Sequence, residues 1–271
     1  MRDSRTPPML PEASPALPPR QGALQVLCGW HAVEAALQRR PEACRKLLHS
    51  EARLPGLKPY LRRLAERRAA YRVAGEAELL KVAGTSAHQG VVAAFERPVL
   101  RPVNGAALRR WASQPGLVIA LDGVANPHNL GALARTAAFF GLQALLVGDQ
   151  GAPALLSTAA YRVAEGGLDR IELAIAPDLL WATEQFRRFG GQVLALDVRG
   201  SRDLRELRGA ATKGGVLLIV GAEEDGVSAA VCQAATHAVH IAAGRGAQLE
   251  SLNVGVATGI AIAELTDGGR A

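Results

Sequence analysis

Between residues 116 and 266 the sequence alternates two kinds of segment. Apolar runs of strand length stand at Leu117–Leu121, Ala144–Val147, Val193–Leu196, Val216–Val220 and Ala238–Ile241. Helix-length segments lie between them at about 129–140, 152–164, 178–189 and 227–235, and a last helical stretch covers 252–265. A strand that is apolar without alternation is buried on both faces, so the pattern predicts an α/β fold with a parallel sheet covered by helices on both sides. Such sheets bind ligands beyond the carboxyl ends of their strands. The loops after the strands are therefore where chemistry is expected.

The first half reads differently. Residues 1–22 hold six prolines and predict a disordered, extended tail. Residues 23–98 predict a small mixed α/β domain. In it, Leu57 to Ala70 places Leu57, Leu61, Leu64 and Ala65 at helical spacing, with Arg62, Arg63, Arg67 and Arg68 on the other faces. The arginines make either a solvated face or a phosphate-contacting one. Residues 99–115, with Pro102 and Pro115, read as a linker into the domain at 116–271.

Charge divides at the same place. Residues 1–115 carry 19 basic and 9 acidic groups, and residues 116–271 carry 12 and 16. A net +10 joined to a net −4 predicts that the first part meets a polyanion, with nucleic acid the leading candidate. Of the 31 basic residues 27 are arginine, which a GC-rich genome would also favour, but codon bias does not explain the uneven placement.

Other classes are disfavoured. No run of about 18 apolar residues occurs, so no membrane-spanning helix is expected. The start, Met1-Arg2-Asp3-Ser4-Arg5, lacks the apolar core of a signal peptide. Cys28, Cys44 and Cys232 are scattered, which argues against a metal site or a disulfide framework and for a reducing cytoplasm. No G-x-G-x-x-G follows a first strand and no P-loop is present.

Three loops carry the candidate residues. The first runs from Leu121 into a helix and holds Asn126-Pro127, Asn129 as a plausible N-cap, and Arg135. At 100° per residue Arg135 sits about 200° round from Leu133, away from the core face. The second, Gly221-Ala222-Glu223-Glu224-Asp225-Gly226, sets three acids between glycines at the end of a buried strand. The third follows Ile241 and leads through Ser251, Leu252 and Asn253 into an Ala/Val/Gly-rich helix, with Ser251 the candidate N-cap.

Taken in order, Asn-x-Gly-x-x-x-Arg at 129–135, Gly-x-Glu-x-x-Gly at 221–226 and Ser-Leu-Asn-Val at 251–254 resemble the SpoU/TrmH branch of the SPOUT RNA methyltransferases. Gly29-x-His31-Ala32-Val33-Glu34-Ala35 and His88-Gln89-Gly90-Val91 resemble the ribosomal-protein-like RNA-binding domain that precedes the catalytic domain in many members. The resemblance implies a C-terminal SPOUT domain with a deep trefoil knot, S-adenosylmethionine bound by the backbone at Gly221, Ile241 and Leu252, and a homodimer whose active site is completed across the interface. It implies methyl transfer to a ribose 2′-hydroxyl of tRNA or rRNA, with Asn129, Arg135, Glu223, Ser251 and Asn253 as the polar catalytic set. Arginine stays protonated in proteins, so Arg135 is read as a phosphate clamp and alkoxide stabiliser rather than a base. The chain departs from the pattern at Ala242, where a proline is usual, and at Gly255, where a serine is usual; the loop 242–250 is also longer. The alternatives are a non-catalytic RNA-binding or ribosome-assembly factor of the same fold, and an enzyme that methylates a base.

Overall fold

The computed structural model describes residues 24–148, 151–249 and 251–267. The tail expected at 1–22 lies outside the described residues.

The first of its two sheets is built from β1 (Leu24–Cys28), β2 (Cys44–His49), β3 (Ala70–Val73) and β4 (Val91–Glu96) in the order β1-β4-β2-β3. Strand β4 runs antiparallel to β1 and β2, and β3 is parallel to β2. Three helices cover it: α1 (Trp30–Arg39), α2 (Leu54–Glu66) and α3 (Glu76–Ala83). Strand alternation sends Leu27, Leu47 and Phe95 to the side of Val33 on α1 and Leu64 on α2, and sends Cys28, Leu48 and Val92 to Leu79 on α3. Helix α2 ends at Glu66, before the expected Ala70, because Arg68 turns the chain at φ 56°. Arg62 and Arg63 on the helix and Arg67 and Arg68 just after it are exposed.

The second sheet has eight strands in the order β10-β12-β9-β11-β6-β7-β8-β5, and every neighbouring pair is parallel. They are β5 (Arg101–Pro102), β6 (Gly116–Asp122), β7 (Ala144–Val147), β8 (Glu172–Ile175), β9 (Gln192–Leu196), β10 (Arg202–Asp203), β11 (Gly215–Gly221) and β12 (His237–His240). The helices are α4 (Gly105–Ala112), α5 (Pro127–Phe139), α6 (Ala152–Leu155), α7 (Thr158–Ala164), α8 (Leu179–Arg188), α9 (Ala210–Lys213), α10 (Ala229–Ala234) and α11 (Val254–Thr266). One face of the sheet, with Ile119 and Leu218, packs under α5, α7, α9 and α11. The other, with Val118 and Leu217, packs under α4, α8 and α10.

Two local readings change. The helix expected at 152–164 is two, broken where the Ser157 hydroxyl accepts the Ala160 N–H and caps α7. Residues 99–115 are more than a linker, since β5 extends the sheet edge along β8 and Trp111 of α4 is buried in the core.

The first core cluster runs without interruption from the small sheet into the large one. Gln25 of β1 donates to the Leu156 carbonyl at 2.8 Å, and Arg40 after α1 pairs with Asp169 at 2.7 Å. The chain order places β6 centrally, turns one way through β7 and β8, and then inserts β11 between β6 and β9. The carboxyl ends of β6, β9, β11 and β12 therefore meet at the point where the direction of winding reverses.

Candidate active site

Strand β6 ends at Asp122, whose Oδ2 accepts the Ser228 N–H at 2.8 Å and so ties down the loop that leaves β11. That loop is tight: Gly226 N–H donates to the Ala222 carbonyl at 2.9 Å, and Gly226 has φ 69°. A Cβ on Gly221 would stand 1.9 Å from the Gly226 carbonyl carbon, so only glycine lets the strand close into this turn. Glu223, Glu224 and Asp225 all project into solvent, which relieves their mutual repulsion.

Two helix N-termini converge on one of these acids. Asn126, rather than Asn129, caps α5 by accepting the His128 N–H at 2.9 Å. Asn129 thereby falls in the first turn with its amide free, and its Nδ2 donates to Glu223 Oε1 at 3.1 Å. Asn253, rather than Ser251, caps α11, with Oδ1 accepting from Gly255 N–H at 2.9 Å. The cap fixes which end of the amide points inward. Its Nδ2 donates to Glu223 Oε1 at 2.6 Å and to Asn129 Oδ1 at 3.3 Å. Side chains from the start of both helices thus converge on a single carboxylate oxygen.

A cavity of about 930 Å³ opens beside this cluster, at the ends of β9, β11 and β12. Gly221, Ile241, Ser251 and Leu252 line it, Glu223 stands at its edge, and the residues of the 242–250 loop from Ala242 to Gly244 form part of its wall. Arg245 is exposed and lies outside the lining. Asp197, which also lines the cavity, carries no role in the sequence reading. It is 8% exposed, and its carboxylate accepts from Arg199 Nε at 3.0 Å and Nη2 at 2.9 Å. The guanidinium beside it holds the Asp197 carboxyl below the usual carboxylate range. An acid at the carboxyl end of a buried strand is the signal that could have flagged both Asp122 and Asp197.

Arg135 stands apart. It lies on the exposed face of α5, as its helical position predicts, and its Nη2 pairs with Glu165 Oε2 at 3.0 Å. Of the eight expected site residues, the structure gathers seven at the cavity or the Asn129–Glu223–Asn253 cluster and leaves Arg135 outside.

The walls suit a ligand with a flat apolar part and a cationic part. Val220, Leu252 and Val254 supply apolar surface, Gly221 and Ile241 bring backbone close, and Glu223, Glu224 and Asp225 supply negative charge, Asp197 being paired with Arg199. The size falls within the roughly 300–1,000 Å³ of small-molecule pockets. Both S-adenosylmethionine's adenine and its sulfonium fit this donor set.

A parallel sheet with its ligand cavity at a winding reversal, flanked by a carboxylate held between two helix caps, defines an α/β protein with a cofactor-type site. Comparison places it more narrowly. The SpoU rRNA Methylase family model matches residues 116–263, and the model for RNA 2′-O ribose methyltransferase substrate binding matches residues 26–99. The chain belongs to the SpoU rRNA methylase family.

It is similar to the uncharacterized tRNA/rRNA methyltransferase YfiF of Escherichia coli O157:H7, at 34% identity over 87% of this chain and 66% of that one. It is 29% identical to the 23S rRNA (guanosine-2′-O-)-methyltransferase RlmB of Nitrosomonas europaea over 89% of this chain and 90% of that one. The chain spans 66% and 58% of the length of the tRNA/rRNA methyltransferases it matches in E. coli and Mycolicibacterium vanbaalenii. A solved TrmH-family protein from Porphyromonas gingivalis superposes with a TM-score of 0.72, at 26% identity over 89% of each chain. An AdoMet-bound rRNA methyltransferase from Sinorhizobium meliloti gives a TM-score of 0.68 at 24% identity over 89% and 86%, a likeness of fold.

Proposed function

We propose that this chain transfers the methyl group of S-adenosylmethionine to a ribose 2′-hydroxyl of tRNA or rRNA. The observation that carries the reading is the Asn129–Glu223–Asn253 cluster at the edge of the cavity. Membership in the SpoU family and the ribose specificity in the name of the RlmB relative support it.

When bound, the cofactor supplies a methyl group already activated on a sulfonium. The backbone at Gly221, Ile241 and Leu252 lines its site, and the apolar walls exclude water. Glu223, held through Oε1 by two amides, keeps a charged edge facing the mouth where ribose enters. Ser251, exposed beside it, offers a hydroxyl to the same space. Most of the protein's contribution is then positioning and fixed charge.

Arg135 completes this site from a second copy of the chain. Within one protomer it points away from the cluster, and Phe139, Val256 and Ile260 on the same two helices, α5 and α11, are exposed apolar side chains of the kind a homodimer covers. The guanidinium clamps the phosphate next to the target ribose and stabilises the developing alkoxide. The proton leaves to phosphate or water. The family's deep trefoil knot belongs to the same reading, supported by the return of α11 from β12, across β11, to pack on α5 and β6. A reducing cytoplasm is the compartment proposed; the three cysteines are free, and no helix among the described residues is long and apolar enough to cross a membrane.

The test is methylation of cellular RNA by the purified protein, followed by digestion to nucleosides and mass spectrometry. A 2′-O-methylnucleoside that disappears with Arg135→Ala is the expected product. Methyl on a base, or no transfer with any RNA, overturns the reading.

The exposed arginines on α2 and in the turn after it predict a salt signature. RNA affinity falls steeply with ionic strength, whereas cofactor affinity changes little. Converting Arg63 and Arg67 to glutamine lowers the magnitude of the log Kd–log salt slope by about 1.4, at about 0.7 for each of the two lost phosphate contacts. An unchanged slope assigns these arginines to solvent.

A further inference from the structure

Helix α7 ends on an unusual residue. Glu165 adopts φ 45° and ψ 47°, the left-handed conformation that glycine or asparagine normally takes at a helix end. A glutamate there is strained, so its side chain calls for a reason. That side chain reaches back to α5, where its Oε2 meets Arg135 Nη2 at 3.0 Å.

The backbone after Glu165 is closed onto the same point. A Cβ on Gly167 would stand 2.7 Å from the Ala134 carbonyl oxygen and 2.8 Å from Arg135 Cα. One turn earlier, a Cβ on Gly131 would stand 2.5 Å from the Ala160 carbonyl oxygen, so the glycine of the Asn-x-Gly-x-x-x-Arg motif lets α7 lie directly on α5. From the other side the corner touches the RNA-binding domain: a Cβ on Gly166 would stand 2.7 Å from the His31 carbonyl oxygen of α1. The corner at 165–167 is thus fitted to the backbone that carries Arg135 and to the helix that opens the RNA-binding domain.

We infer that Glu165 is a positioning residue for methyl transfer, aiming the Arg135 guanidinium; the inference rests on the role proposed above for Arg135. A single ion pair at Nη2 fixes the direction of a long, flexible side chain. The remaining N–H groups of the guanidinium stay available to donate to a phosphate. Because the corner also seats α1, the aim of Arg135 is set in the same frame that holds the RNA.

The test compares Glu165→Gly and Glu165→Gln with Arg135→Ala in the full chain. Each is assayed for kcat and KM with RNA at saturating cofactor, alongside the thermal midpoint. Glycine removes the carboxylate and relieves the left-handed strain, so Tm is expected to hold or rise while kcat falls about tenfold and KM stays within twofold. Glutamine, uncharged but of the same size, is expected to lower kcat as well. The deficit should shrink as salt is raised at saturating RNA, since both partners are about half exposed and their attraction is screened. Full kcat in Glu165→Gly, with Arg135→Ala inactive, overturns the inference and leaves the function standing. A drop in Tm that tracks the loss of kcat makes Glu165 a structural cap and also overturns it. Full activity in Arg135→Ala removes the role of Arg135 and the inference with it.

Discussion

Glu223→Ala is expected to lower kcat for methyl transfer by about a hundred- to a thousandfold, the usual scale for losing one fixed polar group at a reacting centre. The substitution removes the acceptor on which the Asn129 and Asn253 amides converge, so two further polar groups lose their orientation at once. Stability should change little. Glu223 is exposed, both amides can turn to water, and Asn253 keeps its cap bond to Gly255. Glu223→Gln separates geometry from charge: its side-chain oxygen can still accept from both amides, but the negative charge is gone. A glutamine variant close to wild type assigns Glu223 an orienting role alone. An alanine variant with full kcat and an unchanged Tm would remove the cluster from the mechanism.

The central sheet is legible in the sequence because its strands are buried on both faces. Leu117–Leu121, Ala144–Val147 and Val216–Val220 are uninterrupted apolar runs, and each becomes a strand within one residue at either end. Strand β8 escapes this rule. It lies one strand from the sheet edge, Glu172 is exposed, and Ala174 alone of its four residues is buried. Strand β5 is two residues long and is made only by its pairing with β8.

The site is legible at the level of which loops meet, since ligands gather where parallel strands end. The division of labour within each loop is not. Asn126 and Asn129, and likewise Ser251 and Asn253, are all capping residue types two or three positions apart, and sequence alone does not say which one caps and which is left free. In both pairs the structure reverses the simple choice, and in α5 the result is what frees Asn129 for Glu223. Arg135 is a different case. Its helical angle correctly turns it off the core, but its partner Glu165 lies 30 positions on, past a helix break, where no periodicity connects them.

The union between the two sheets supplies the largest expected loss of stability. Arg40→Ala is expected to lower the unfolding free energy at pH 7 by about 3–5 kcal/mol, the range found when one partner of a buried ion pair is removed. The Arg40 and Asp169 side chains are 12% and 5% exposed. Arg40 donates from Nε to Asp169 Oδ1 at 2.7 Å and from Nη1 to the Glu96 carbonyl at 2.8 Å, and its guanidinium lies over the rings of Phe95 and Tyr161. Burial pushes the Asp169 carboxyl above its ordinary value, with Arg40 pulling it partway back. Alanine removes that pull, so the folded-state pKa rises further above the unfolded value of about 3.9. A group whose folded pKa is raised favours the fold while protonated and withdraws that support as pH climbs through the folded value. The gap between wild type and Arg40→Ala should therefore be small near pH 3.5 and widen toward pH 7. Urea unfolding at the two pH values measures it. A second variant guards the interpretation: Arg40→Met with Asp169→Leu removes both charges and keeps the volume, and should recover most of the loss. If the single variant loses under about 1 kcal/mol, or loses equally at both pH values, the ion pair is not what fastens the RNA-binding domain to the turn at Gly167–Asp169. Should the full loss appear and the apolar pair restore stability but not kcat, the charge at this joint also sets the frame in which the Glu165 corner aims Arg135.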